Sequence, residues 1–230
     1  MWLYFLMKML LIITIFIMII SGCAPDAEPN DAVRLMPTST PTIAEITQIV
    51  NLSLNDIALT LPYPSNWESY TTEYGVVLAE YLGSVATEGQ LGGILIHLFV
   101  PPLNEMDLPV SSNNNRALNI LSKILAYPNY VGDATVSTPL PFMWDNFECA
   151  YYLMDNGEGN LTIVIGILDP QTNRLVTVSM SAPQNQQARI RTLLPNLLNG
   201  LEINDYTLSG VVLDDILPNP LIFPRHNGAS

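Results

Sequence analysis

The chain has 230 residues, 49% of them hydrophobic and 13% charged, which excludes a disordered acidic tail or a coiled coil and is enough for one folded domain with appendages. Asp and Glu outnumber Lys and Arg by 21 to 8, a formal net charge of −13, so polyanionic partners are repelled and nucleic-acid binding is disfavoured. Cys23 and Cys149 are the only cysteines, which rules out a disulfide-stapled miniprotein.

The first element is a hydrophobic run from Met9 to Ile20, preceded by Lys8, the pattern of a secretory signal. A spanning helix needs roughly 20 apolar residues, which this run reaches only if residues 1–7 are added and Lys8 is tolerated inside. Initiation at Met1 and at Met7 both fit. The run ends in Ile20-Ser21-Gly22-Cys23, which resembles the lipobox of bacterial lipoproteins: an aliphatic residue, two small residues and a cysteine. The resemblance implies cleavage between Gly22 and Cys23, removal of residues 1–22, and a thioether-linked diacylglycerol with further acylation on Cys23. Two or three fatty chains of the palmitate class give stable anchoring where one gives only marginal binding. The competing reading is an uncleaved signal anchor with an incidental cysteine; the small residues and the abrupt change of composition favour processing.

Residues 23–49, rich in Pro, Thr, Ala and acids, read as a flexible tether. The folded domain is expected over 50–205. It starts with alternation from Ile57 to Leu61 and a turn at Pro62, Pro64, Ser65 and Asn66 before Trp67. Two Gly-opened strands, "GVVLAEY" and "GGILIHLFV", follow in an antiparallel start. Asn115 closes a run of capping residues, and Ala117, Ile120, Leu121, Ile124 and Leu125 recur at helical spacing, predicting an amphipathic helix that ends near Pro128. Next come "DATVSTPLPF", "NFECAYYLMD", "NLTIVIGILD" and "RLVTVSMSAP", the last three separated by the compact turns "NGEG" and "PQTN" and so forming a meander. "LTIVIGIL" is apolar on both faces and predicts a central strand; "TVSMS" predicts a strand nearer an edge or a wetter face. Ile190, Leu193, Leu194, Leu197, Leu198 and Leu201 mark a second helix with Gly200 as its stop and Pro195 as a kink or restart. Residues 206–230 read as a proline-punctuated C-terminal extension holding one possible short strand, 211–213.

This order gives an α+β class, an α/β/α sandwich of mostly antiparallel sheet with two main amphipathic helices. With Tyr63, Pro64 and Trp67 in the first turn and "GVVL" after it, the pattern over about 54–204 is similar to the PsbP-like and Mog-like sandwich families. Asn66 stands where those families often have glycine before the tryptophan. The resemblance implies an accessory, assembly or binding protein, and no metal ligand is carried over from it.

Candidate chemistry is sparse. His97 in "ILIHLFV" is read either as a catalytic base or as a packed, hydrogen-bonded side chain, the second being preferred. Cys149 alternates with Phe147, Tyr151 and Leu153 and reads as core filling. A hydrolase using His97 and Cys149 needs the two to meet in a cleft. Asp145, Glu148, Asp155 and Glu158 gather around one hairpin but lack the alternating oxygen ligands of a calcium loop. The aromatics from Phe142 to Tyr152 read as strand packing rather than a recognition surface. No GxSxG, phosphate-binding glycine loop or HExxH occurs, and no catalytic, metal or cofactor residue is assigned. The expectation is therefore a lipoprotein, held by its anchor on the extracytoplasmic side of the bacterial inner or outer membrane. It would be a binding or assembly module for an envelope protein or small ligand, with an enzyme or a purely structural envelope protein as the alternatives.

Overall fold

The computed structural model describes residues 45–84, 90–101, 115–126 and 128–226; the expected signal sequence, Cys23 and the expected tether as far as residue 44 lie outside the described residues. A nine-residue strand buried along its whole length, Asn160–Leu168, organises the rest. It cannot face water on either side, so strands must flank it and other layers must cover both faces. A sheet of eight strands results. In chain order these are β3 (Glu68–Thr71), β4 (Gly75–Ala79), β5 (Leu95–Phe99), β6 (Thr135–Val136), β7 (Leu140–Trp144), β8 (Phe147–Asp155), β9 (Asn160–Leu168) and β10 (Leu175–Pro183). Their spatial order is β3-β4-β5-β10-β9-β8-β6, with β7 paired to the other half of the same edge of β8, and every pairing is antiparallel.

The predicted meander β8-β9-β10 is present in continuous register, from Asp155 opposite Leu161 to Leu175 opposite Leu168. Of the two readings of β10, the wetter face holds, with Ser179 and Ser181 only half-buried, and the edge does not. The strand lies between β5 and β9, at the middle of the sheet, because Val176, Val178 and Met180 supply a buried face that outweighs the polar one. Thr177 on the polar face is itself buried, and Ser181 answers Thr162 across the pair at 2.8 Å.

One face of this sheet carries helix α1 (Arg116–Leu125), whose Ala117, Ile120 and Leu121 pack on Ala150, Tyr152, Val164 and Leu168. Asn115 caps it as predicted, its Oδ1 accepting the Leu118 amide at 2.8 Å, while its Nδ2 donates to the Cys149 carbonyl at 2.9 Å. The helix sits close because β9 offers Gly166, where a Cβ would come within 3.1 Å of Leu121.

The opposite face is covered by helix α2 (Gln187–Leu197) and by a second antiparallel sheet of β1 (Ile46–Leu54), β2 (Ile57–Pro64), β11 (Glu202–Ile203) and β12 (Tyr206–Thr207). Ile190, Leu193, Leu194, Leu197, Leu198 and Leu201 are all buried, as their spacing requires. Pro195 neither restarts nor ends the helix: the Leu198 amide still reaches the Leu194 carbonyl at 3.0 Å. The Tyr63-Pro64-Trp67 turn is closed by the Trp67 amide on the Pro64 carbonyl at 3.0 Å, which delivers the indole to the core.

Two expected boundaries move. Ile46 to Ile49, assigned to the tether, belong to β1, which the one-sided pattern Ile46, Val50, Leu52, Leu54 conceals until β2 pairs with it. The extension 206–230 is not an appendage over its first part. Residues 211–213, read as a strand, open helix α3 (Val211–Ile216), and Leu208, Leu213, Leu217 and Leu221 enter the main core. Arg191, 8% exposed, fixes this segment: it donates to the carbonyls of Asp214 at 2.7 Å, Pro218 at 3.1 Å and Leu217 at 3.2 Å, and to the Asp214 carboxylate at 2.6 Å. Gly210 at the helix start admits the Pro195 carbonyl oxygen to within 1.8 Å of where a Cβ would stand.

Leu194 is fully buried at the centre of the α2 face. Leu194→Ala is expected to cost about 2–5 kcal/mol in urea unfolding, by lost transfer energy and residual cavity. A loss below about 0.5 kcal/mol, the scale of a surface substitution, contradicts this packing.

Candidate functional site

Alternation along a strand decides which residues share a face, and it separates the two candidate reactive side chains. On β5, Ile96 and Leu98 point into the main core, so His97 lies on the α1 side of the sheet with Leu95 and Phe99. Across the sheet it stands in one row with Val77, Ser179, Val164 and Tyr152. Cys149 on β8 faces the other way, into the main core with Phe147, Tyr151 and Leu153. Strands β10 and β9 intervene. Three strand spacings amount to about 14 Å, with the sheet itself between the two side chains. His97 and Cys149 form no dyad.

Each is also chemically muted. Burial pushes the Cys149 thiol far above its ordinary range; the fully buried thiol donates to the Phe147 carbonyl at 3.6 Å. Burial lowers the His97 pKa. The ring stacks on Phe99 at 4.5 Å between centroids, but its Nε2 is sealed from solvent without a hydrogen-bond partner. The expected hydrogen bond is therefore absent at that nitrogen, because the cross-strand neighbours are Val77 and the short Ser179.

The four acids do not form one cluster. Asp145 lies in the β7-β8 turn and Glu148 just beyond it, ion-paired with Arg116 at 3.0 Å. Asp155 and Glu158 lie at the far end of β8, in a turn organised by its own hydrogen bonds: Asp155 Oδ1 accepts from Gly157 and Asn156 Oδ1 from Glu158 and Asn160. Among the described residues no group of three or more His, Cys, Asp or Glu side chains could hold a metal ion. Phe142, Trp144, Phe147 and Tyr151 pack into the main core, as ordinary strand aromatics do.

What the fold does leave open is a cleft of about 510 Å³ at the end of the sheet where the β8-β9 turn, the approach to β5 and the segment after β10 converge. Pattern reading missed it because its residues are far apart in sequence and carry no motif. Gln90, Gln184, Asn185 and Gln186 line it together with Leu91, Gly92, Gly159 and Pro183, offering amide donors and acceptors beside two apolar side chains and no formal charge. The walls are tied together by the Leu91 amide on Asn160 Oδ1 at 2.8 Å and the Gln184 amide on the Gly159 carbonyl at 2.8 Å. Behind it the Arg189–Glu80 ion pair, 2.6 Å, is mutually neutralised, and Arg189 also holds Gln186 Oε1 at 2.5 Å. A second cleft of about 370 Å³ beside α2 is walled by Gln187, Thr192, Asn196, Asn219 and the Arg191–Asp214 pair, whose guanidinium is fully engaged in holding α3.

No family model matches the chain, and no curated protein matches it. Among solved structures it is similar to the cyanobacterial PsbP protein CyanoP of Synechocystis sp. PCC 6803, with a TM-score of 0.47 and 11% identity over 73% of this chain and 99% of that one. It is also similar to the Ran-binding protein Mog1p of Saccharomyces cerevisiae, with a TM-score of 0.37 and 12% identity over 63% and 82% of the two chains. A point mutant of protein Mog1 gives a TM-score of 0.40 and 10% identity over 73% and 100%. These are PsbP-like and Mog-like proteins, the two families whose pattern the sequence resembles. At these identities and overlaps the likeness brings no function with it, and the α+β architecture rests on the strands and helices themselves.

Two measurements check this site. Cys149 is expected to remain unmodified by a thiol reagent in the native protein and to react fully in denaturant; rapid native labelling contradicts its burial. His97 has a folded pKa below the unfolded 6.5, so below that pH the unfolded chain takes up a proton that the folded chain refuses, and stability falls as pH falls. The Tm is therefore expected to drop between about pH 7 and about pH 5, and His97→Gln to reduce that drop. An equal drop in both proteins contradicts the assignment.

Proposed function

We propose that this chain is an extracytoplasmic bacterial lipoprotein, held at the membrane through lipid on Cys23, whose domain works by binding a neutral polar ligand or envelope protein. The anchor is supported by the lipobox-like Ile20-Ser21-Gly22-Cys23 after a hydrophobic run. None of the described helices is long and apolar enough to cross a membrane, so the folded part offers no helical anchor of its own.

The observation that carries the binding reading is the amide-lined cleft. In a chain with net charge −13, a concave surface built from Gln90, Gln184, Asn185 and Gln186 is selective for hydrogen-bonding groups without charge, such as peptide amides or sugar hydroxyls. Tethering raises the effective concentration at the membrane surface, so a weak interface is occupied there without strong affinity in solution.

Mass spectrometry of the membrane-extracted protein tests the anchor: the first residue is expected to be Cys23 carrying diacylglycerol, and a peptide retaining residues 11–22 with a free Cys23 thiol contradicts it. The cleft is tested by screening the intact protein against neutral oligosaccharides and peptides from the envelope. Gln184→Ala with Asn185→Ala, both exposed and outside the core, is expected to weaken the captured ligand by about tenfold or more. Unchanged capture by this variant removes the cleft from the function.

A further inference from the structure

One ion pair of this fold sets its two charges at different depths. Arg191 and Asp214 meet at 2.6 Å, yet the Arg191 side chain is 10% exposed and the Asp214 side chain 57%. The guanidinium hydrogen bonds all turn toward the chain, to the carbonyls of Asp214, Leu217 and Pro218 and to Asp214 Oδ1. Asp214 Oδ2 accepts from nothing among the described residues. The pair is thus a dipole with its negative end outward, and both of its members line the second cleft, about 370 Å³ between α2 and the segment after α3. That volume is within the roughly 300–1,000 Å³ of small-ligand pockets.

The other fixed polar groups of the cleft repeat this polarity. On the α2 flank the Thr192 hydroxyl spends its hydrogen on the Ala188 carbonyl at 3.2 Å, which leaves its oxygen as an acceptor. One turn further on, Asn196 Nδ2 donates to the Thr192 carbonyl at 3.0 Å, which fixes the amide and leaves Oδ1 as a second acceptor. Gln187 and Asn219 carry amides that can turn either way, and Ala188, Pro220 and Leu221 supply an apolar wall. No lysine or histidine lines the cleft.

We propose that this second cleft binds a primary ammonium group carried on an aliphatic stem. Asp214 is the charged contact, Thr192 and Asn196 are further acceptors, and the methylenes lie along Pro220 and Leu221. An ammonium carries three donors and no acceptor, the complement of a wall whose fixed groups accept. A hydroxyl in the same place lacks the charge-assisted bond to Asp214, and a carboxylate is repelled by it. The net charge of −13 draws cations toward the surface before they reach the cleft. The chemistry is shared by free diamines and by lysine side chains. The inference is independent of the first cleft, which offers no formal charge, and of the anchor.

Calorimetry on the intact protein in detergent at low salt tests it. The probes are cadaverine and a lysine amide acetylated on its α-amino group, with pentanol and pentanoate as controls of matched length. At least one probe is expected to bind about tenfold or more tighter than either control, and to weaken as salt screens the attraction. Cadaverine alone points to free amines, and equal binding of the lysine amide to protein side chains; either supports the site. Asp214→Asn keeps an oxygen for Arg191 but removes the charge, and is expected to weaken the probe about tenfold or more. Thr192→Val, at an exposed position, is expected to weaken it severalfold with an unchanged thermal melt. Asp215→Asn, the neighbouring exposed acid outside the cleft, is expected to leave binding as it was. Probes that bind no better than pentanol overturn the proposal, as does a loss with Asp215→Asn equal to that with Asp214→Asn, the mark of attraction to acidic surface in general. Should Asp214→Asn loosen α3 and melt early, Thr192→Val decides alone, and unchanged binding by it overturns the site.

Discussion

Everything in this domain follows from one strand that has no wet face. β9 is buried from Asn160 to Leu168, and burying both sides of a sheet requires two covering layers. On one side α1 closes over Gly166; on the other α2 and the small sheet bring in the leucine stripe and Ile57, Leu59 and Leu61. The same two-sided demand places His97 and Cys149 in different layers. A reaction that needs both is therefore prevented by the feature that makes the fold stable.

Polar side chains are used where layers have to be held in register. Asp169, buried in the β9-β10 turn, accepts from the Thr172 hydroxyl at 2.6 Å, the Thr172 amide at 3.0 Å and Asn204 Nδ2 at 3.1 Å. Asn204 in turn exchanges hydrogen bonds with Ala58: its Oδ1 accepts the Ala58 amide at 3.0 Å and its amide donates to the Ala58 carbonyl at 2.7 Å. The central hairpin, the second sheet and the start of the C-terminal segment are thus joined through two side chains. Arg191 does the equivalent work for α3, satisfying carbonyls that a short helix leaves without partners. A buried carboxylate and a buried guanidinium each cost desolvation, and each is offset by several charge-assisted hydrogen bonds.

Much of this was legible in the sequence, for definite reasons. The period of α2, the hairpin turns of the meander and Asn115 as a cap are local signals, and the structure keeps them. The two-faced apolarity of "LTIVIGIL" correctly marked the centre of the sheet. Of the two readings of β10, the edge fails because Val176, Val178 and Met180 give it a fully buried face, while the wetter face holds: Ser179 and Ser181 stay half-buried, and Ser181 pairs with Thr162. β1 and α3 were missed because neither forms a pattern alone: β1 is apolar on one side only, and α3 has a single buried residue, Leu213, within its six. The amide cleft has no sequence signal at all, since Gln90 and Gln184 meet only through the pairings of β5, β10 and β9.

The central claim, that β9 commands one cooperative unit extending from β1 to α3, is tested most directly by native-state hydrogen exchange on the full-length protein. The amides of Asn160–Leu168 are expected to be the slowest, exchanging only on global unfolding, with those of α3 protected well above free-chain rates because their segment is locked to the same core. Free-chain exchange over 211–217 while β9 stays protected, or a β9 that exchanges as fast as the open-edged β1, would contradict the account.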